Sequence, residues 1–338
     1  MTNFIYSFKG KGLGEQGNDN DGGTGASFWI ILVIVTIVMI ALVFIFKSAN
    51  TASAPAAPEK EMKTEGKAEK AAKPTMPAIA PGKKISMKNP VEYKALSDDC
   101  AKAEEMLKSE LVVQARDAAM KILKSGVEED DPVWKRTVAV LNKANMDIFT
   151  SNIMCPEKET YSIRKNDNLI KIATDFNTTI EAVMKSNGLN PANPVIQAGR
   201  TLKIFKGNWT LKISKKRFKL YLYDGDNVFM VYNIGIGKQG RTPVGTFEID
   251  VKKDKPVWYK DGKQVPYGSK ENILGTRWMS LRPVGGTSSN FKGYGIHGTW
   301  EPEAIGREAS NGCIRMVNEE INDLYMILPL KTTVLIED

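Results

Sequence analysis

One histidine occurs in the 338 residues, His297, and Cys313 follows it by sixteen positions. They sit in glycine-flanked runs, Gly295-Ile296-His297-Gly298-Thr299 and Ser310-Asn311-Gly312-Cys313-Ile314-Arg315. A free thiol, with a pKa of about 8.5, is mostly protonated at neutral pH, and a base or cation beside it raises the thiolate fraction. An imidazole does this by taking the proton during attack or by holding a resting thiolate–imidazolium pair. Only His297 can supply that imidazole. Thiolate attack on a carbonyl gives a tetrahedral oxyanion and then a thioester, and the oxyanion needs preorganised N–H donors. Gly312 permits close backbone approach, so the amides around Gly312 and Cys313 are the natural donors. The imidazole needs an orienting partner. No sequence-near Asp or Asn is singled out for this, and a backbone carbonyl near Gly298 is a candidate.

These two runs lie in a β-rich region, residues 208–338. Trp209–Ser214 and Phe218–Tyr223 alternate as strands about a Lys215-Lys216-Arg217 turn, and a third strand spans Val228–Ile236 after Asp224–Asn227. Gly237–Gly240 reads as a loop, Thr246–Val251 as a strand and Lys260-Asp261-Gly262-Lys263 as a turn. A helix is expected near Val317–Leu328 and a closing strand over Thr332–Glu337.

Four ordered features stand out: Gly235-x-Gly237-Lys238, Thr242-Pro243-x-Gly245-x-Phe247, Ile296-His297-Gly298-Thr299 and Ser310-x-Gly312-Cys313-Ile314-Arg315. With a late Thr332-x-Val334-x-Ile336, this set resembles the L,D-transpeptidase catalytic domain, the YkuD-like fold. The resemblance implies a mainly-β domain with Cys313 as nucleophile and His297 as base. It implies a peptidoglycan stem tetrapeptide as donor, cut before its terminal D-alanine. The acyl-enzyme then passes to an amine, making a 3→3 cross-link or anchoring another protein. No metal or organic cofactor is implied. Many members carry histidine where Asn311 stands; asparagine donates and accepts but carries no charge near pH 7. Ser310, Asn311, Gly312, Gly298, Arg315 and Trp300 are the further oxyanion or substrate candidates. Arg315 either meets a substrate carboxylate or pins its loop to a neighbouring acid. Trp278 and Trp300 either line the cleft or belong to the core.

Residues 159–206 form a separate unit with the pattern β-α-α-β. A strand runs over Thr160–Arg164, and Asp167-Asn168 caps a helix bearing Leu169, Ile172, Ala173 and Phe176. Thr178 or Thr179 starts a second helix bearing Ile180, Val183 and Met184, Asn187-Gly188 ends it in a left-handed cap, and Thr201–Phe205 is a strand. The residues Tyr161-x-Ile163, Asn166-Asp167-x-Leu169, Ile172-Ala173, Asn187-Gly188-Leu189 and Gly199-x-x-Leu202-x-Ile204 resemble a LysM domain. Asn166 stands where glycine is usual, and asparagine also tolerates positive φ. The resemblance implies binding of N-acetylglucosamine-containing glycan in a groove of Asn166, Asp167, Asn168, Leu169, Gly188, Leu189, Asn190 and Pro191. The alternative is that these Asn, Gly and Pro residues serve only as turns.

Residues 92–152 read as helical. Leu96, Cys100, Ala103 and Leu107 repeat at three to four, as do Ala115, Ala118 or Ala119, and Ile122. Asp131-Pro132 starts a third helix, with Trp134, Val138, Leu141 and Ile148 on one face. One such unit is too short to establish a repeat. Of the three cysteines, Cys100 and Cys155 either pair in an exported protein or remain separate buried thiols.

The N-terminal quarter has a different character. Residues 1–27 are rich in Gly, Asn and Asp. Residues 28–46 are apolar throughout except for one Thr, and as a helix would rise about 28 Å, close to a bilayer's hydrocarbon thickness. A cleaved leader is the alternative, which the small residues of Ala49–Ala54 keep open. Residues 47–91 form an Ala/Pro/Lys-rich linker. Nine lysines and four glutamates within 47–88 account for five of the eight net positive charges. This is read as a solvated tether with a flexible reach of about 35 Å. No basic-aromatic pattern suggests nucleic acid.

The expected architecture is therefore multidomain: one N-terminal transmembrane helix, a linker, a short helical region, a small βααβ LysM domain and a mainly-β catalytic domain. The expected location is the cytoplasmic membrane, single-pass, with the catalytic domain on the periplasmic side. Charge bias alone slightly favours the opposite orientation; the wall-directed motifs decide it. The expected partners are peptidoglycan stem peptides and glycan strands. Water as acceptor, making an L,D-carboxypeptidase, and a catalytically silent wall-binding scaffold are the competing readings.

Overall fold

The computed structural model describes residues 90–338. The expected tail, membrane span and all but the last two residues of the linker lie outside the described residues. Pro90 and Val91, assigned to the linker, instead open the first helix. Among the described residues no helix is long and apolar enough to cross a membrane.

Three helices come first: α1 (Pro90–Lys108), α2 (Val112–Lys124) and α3 (Pro132–Thr150). Asp131 caps α3, accepting the Val133 N–H at 2.8 Å, and Pro132 occupies the first turn, where its missing N–H costs nothing. The helices close on Ala103, Ala115, Ala119, Val140 and Leu141, whose small members allow near approach. Cys100 and Cys155 are free thiols buried in different clusters, so the disulfide alternative is set aside.

The next unit runs β1 (Lys158–Ser162), α4 (Leu169–Asp175), α5 (Ile180–Ser186) and β2 (Thr201–Phe205). β1 begins two residues earlier than the alternation suggested and pairs antiparallel with β2, Lys158 opposite Phe205. Asn168 caps α4 and Thr179 caps α5, each through its side-chain oxygen. Asn166 adopts φ +69° and Gly188 φ +61°, as the turns require. Ile163, Leu169, Ile172, Val183, Leu202 and Ile204 fill the core of this unit.

The remaining elements are β3 (Trp209–Ser214), β4 (Lys219–Asp224), β5 (Asn227–Asn233), β6 (Ile236–Gly237), β7 (Gly245–Asp254), β8 (Trp258–Lys260), β9 (Lys263–Val265), β10 (Arg277–Val284), β11 (Gly295–Thr299), β12 (Glu308–Ser310), β13 (Ile314–Val317), α6 (Asn318–Ile327) and β14 (Thr333–Glu337). Eight strands make one sheet in the order β13-β11-β10-β7-β14-β3-β4-β5. Phe218 leaves the expected strand because it takes φ +53° in the turn, so β4 starts at Lys219. The expected third strand divides into β5 and the short β6, which pairs instead with β12.

The helical region is fastened to this sheet. β5 is an edge strand. Asn142 donates to Val231 O at 2.8 Å and accepts from Val231 N at 3.0 Å, and Asn145 donates to Phe229 O at 2.6 Å. Two amides one helical turn apart thus stand in for a missing strand partner and blunt the edge. Phe149, Phe205, Trp209 and Phe229 form one aromatic cluster joining α3, β2, β3 and β5, with centroids 5.0–6.3 Å apart. Thr179, at the start of α5, also bonds Met326 O of α6.

Candidate active site

β11 runs between β10 and β13. It pairs antiparallel with β10, His297 opposite Trp278, and parallel with β13, His297 opposite Arg315. All five residues of β11 are buried, and His297 is only 2% exposed. The Trp278 ring stacks on the imidazole, centroids 5.7 Å apart and planes 25° from parallel. Gly298 is required by a neighbour: a Cβ there would stand 2.2 Å from Asn318 Oδ1. Asn318 uses that oxygen to accept the Thr276 N–H at 3.0 Å and its Nδ2 to donate to Thr299 O at 2.9 Å.

Cys313 closes the loop between β12 and β13. Ser310 Oγ accepts the Gly312 N–H at 3.0 Å and donates to Cys313 O at 2.6 Å. Thr242, fully buried, donates to Gly312 O at 2.9 Å and accepts the Gly237 N–H at 2.8 Å. The two earlier motifs therefore meet the cysteine loop from behind. Gly312 has φ +135°, and a Cβ there would strike the Tyr294 ring at 2.6 Å. No other residue type suits that position.

The two reactive side chains share a cavity of about 390 Å³. Its walls include Lys253, Trp258, Tyr259, Leu274, Trp278, Gly293, Ser310, Asn311 and Arg315. His297 Nδ1 lies 2.6 Å from Gly298 O. A carbonyl only accepts, so Nδ1 carries the proton and Nε2 keeps its lone pair. This is the orienting carbonyl expected near Gly298. Burial, with some help from the Arg315 charge, pushes the imidazole pKa down to about 4. Burial pushes the Cys313 thiol up. Both shifts favour a neutral thiol and neutral imidazole at rest over the ion pair.

The remaining candidates divide. The Gly312 N–H donates to Ser310 Oγ, a bond that would compete with the role expected of it as an oxyanion donor. Arg315 is pinned by Glu301, Nη1 to Oε2 2.8 Å, which favours the structural alternative for it. Asn311 is exposed and accepts from Arg241 Nη1 at 3.3 Å. Trp278 lines the cavity, whereas Trp300 stands outside it, 51% exposed. Trp258 and Tyr259 were missed; the Lys260–Lys263 turn marks their hairpin, β8 with β9, but nothing local ties it to the site.

In the βααβ unit the expected groove residues separate likewise. The Asp167 carboxylate accepts from Tyr161 OH at 2.6 Å and Arg164 N at 2.8 Å, and pairs with Lys171. Asn168 is spent on its cap, Leu169 is core, and Asn190 accepts the Ala192 N–H. Asn166, Gly188 and Pro191 are exposed, and Leu189 is half-buried.

Residues 208–336 match the L,D-transpeptidase catalytic domain (YkuD), and residues 161–205 match the LysM domain. The chain is 38% identical over 127 residues to YqjB of Bacillus subtilis, covering 37% of this chain and 69% of that one. It is 32% identical over 183 residues to YkuD of Bacillus licheniformis, 52% of this chain and 96% of that one. Against YkuD of Bacillus subtilis the identity is 31% over 190 residues, 52% of this chain and 98% of that one. All three are named as L,D-transpeptidases. The chain belongs to the L,D-transpeptidase family, with a mainly-β catalytic domain preceded by a LysM domain. It is a cysteine-dependent acyltransferase.

Proposed function

We propose that this chain is a membrane-anchored peptidoglycan L,D-transpeptidase. Cys313 Sγ attacks the carbonyl before the terminal D-alanine of a stem tetrapeptide while its proton passes to His297 Nε2. The developing oxyanion is received by the Cys313 N–H. As the C–N bond breaks, His297 returns the proton to the leaving D-alanine, and a thioester remains on Cys313. The amine of a second stem then attacks this thioester, gives its proton to His297, and releases the cross-linked product and the thiol. The observation that carries this reading is an imidazole fixed at Nδ1 by Gly298 O in the cavity that Cys313 lines. Because both groups are neutral at rest, proton transfer accompanies attack.

The LysM unit holds N-acetylglucosamine-containing glycan. Gly188, Leu189, Asn190 and Pro191 with Asn166 are its candidate contacts; Asp167, Asn168 and Leu169 shape the loop between them. The apolar run 28–46 anchors the chain in the cytoplasmic membrane, and the linker lets the catalytic domain reach the wall on the periplasmic side.

Incubation of the detergent-solubilised full chain with disaccharide tetrapeptide, read by mass spectrometry, tests the reading. A cross-linked dimer is expected. Tripeptide alone would assign water as acceptor, and product from Cys313→Ala would sink the mechanism. Pull-down on insoluble peptidoglycan should weaken when residues 159–206 are deleted; unchanged binding would remove the glycan role.

A further inference from the structure

Two aromatic rings stand outside the cavity, on segments bonded to residues of its wall, Trp300 in the open and Tyr267 half-buried. The Trp300 ring lies 6.2 Å from that of Tyr267, inclined by 50°. Leaving so large a ring in water forgoes burial that would stabilise the fold. Single exposed apolar residues are ordinary, but paired rings on backbone tied to a cavity wall point to a ligand.

The backbone is fixed on both sides. Thr299 Oγ1 accepts the Glu301 N–H at 3.1 Å, and the Glu301 carboxylate is held by Arg315, whose side chain also lines the cavity. Opposite, Asn272 is 1% exposed and donates to Pro256 O at 2.9 Å and Val265 O at 3.0 Å, holding the segment that leads to Tyr267. The aromatic pair is therefore tied, through Glu301 and Arg315, to the wall of the reactive cavity.

We infer that Trp300 and Tyr267 form a saccharide subsite for the glycan to which the donor peptide is attached. The inference rests on the donor assignment made above. A pyranose ring presents a face of C–H bonds that lies flat on an aromatic face, and the N-acetyl methyl adds apolar contact. The cavity takes the peptide and the aromatic pair outside it takes the sugar, so one substrate spans both. This subsite belongs to the catalytic domain and is separate from the LysM unit.

The test compares kcat/KM for D-alanine release from the tetrapeptide carrying its disaccharide and from the free tetrapeptide. The full chain is used unmodified and as Trp300→Ala and Trp300→Phe. The LysM unit is intact in all three, so its contribution cancels. The unmodified chain should prefer the disaccharide form, and Trp300→Ala should cut that preference by about three- to tenfold. Trp300→Phe should keep most of it. A preference unchanged by Trp300→Ala overturns the subsite alone. No release from either substrate by the unmodified chain overturns the donor assignment, and the subsite with it.

Discussion

His297 Nδ1 lies 2.6 Å from the carbonyl oxygen of Gly298, the next residue in the chain. The strand that carries the imidazole therefore also fixes its tautomer. In many histidine-assisted sites a carboxylate has this task and stabilises the imidazolium by charge. A neutral carbonyl does less of that, which agrees with an imidazole held well below the usual range.

A pH dependence follows. The folded pKa of His297, about 4, lies below its ordinary 6.5. Neutral imidazole is thus retained while pH falls through the range where free histidine protonates. The acid limb of kcat/KM should lie near pH 4 to 5. The same shift stabilises the fold fully above pH 6.5, and this contribution is lost as pH falls toward 4. An acid limb governed by a group titrating at 6 to 7 would contradict the neutral resting pair.

Gly298→Ala should be more damaging than a single methyl suggests. Its Cβ would meet Asn318 Oδ1 at 2.2 Å, and Asn318 ties β11 to α6 and to Thr276. Overpacking of this kind costs about 1–3 kcal/mol, and a displaced imidazole costs roughly a hundredfold in rate. Thermal melts and D-alanine release from the same preparation check both. Full activity would mean that the strand tolerates the shift.

Thr242→Val keeps the shape of the side chain and removes its hydroxyl. The Gly237 N–H and Gly312 O would lose their partner in a fully buried setting, at about 1–3 kcal/mol. The cysteine loop should loosen, so kcat should fall about tenfold or more. Unchanged kcat would show that Ser310 alone holds the loop.

The helical region is predicted to stabilise the catalytic sheet. Asn145→Ala leaves Phe229 O unpaired, and Asn142→Ala removes two bonds to Val231. Each should cost about 1–3 kcal/mol, or roughly 2–4 °C in Tm per kcal/mol for a body of this size. Melting followed by circular dichroism decides it; a shift under one degree for both would make the contacts incidental.

How far the sequence carried differs from residue to residue. His297, Cys313, Thr242 and Gly312 were legible through the resemblance that their ordered motifs carry; taken singly, the histidine and the cysteine also read as buried core residues. β2 and β3 were legible because their residues alternate. β10 and β11 were not: Gly295-Ile296-His297-Gly298-Thr299 is buried on both faces and has no alternation to read. The Ser310 bond to the Gly312 N–H, and the absence of Trp300 from the cavity wall, depend on loop conformation that no local pattern encodes. Trp300 follows His297 by three residues, yet leaves the strand at its end and faces solvent.

The central claim is that His297 serves as the base for Cys313. The most direct measurement is intact-mass detection of the tripeptide thioester on the full chain after mixing with disaccharide tetrapeptide. Cys100 and Cys155 are buried, so the adduct should map to Cys313. It should form rapidly on the unmodified chain, be absent from Cys313→Ala, and form at least about a thousandfold more slowly on His297→Ala. An adduct on Cys313→Ala, or an undiminished rate on His297→Ala, would contradict the account.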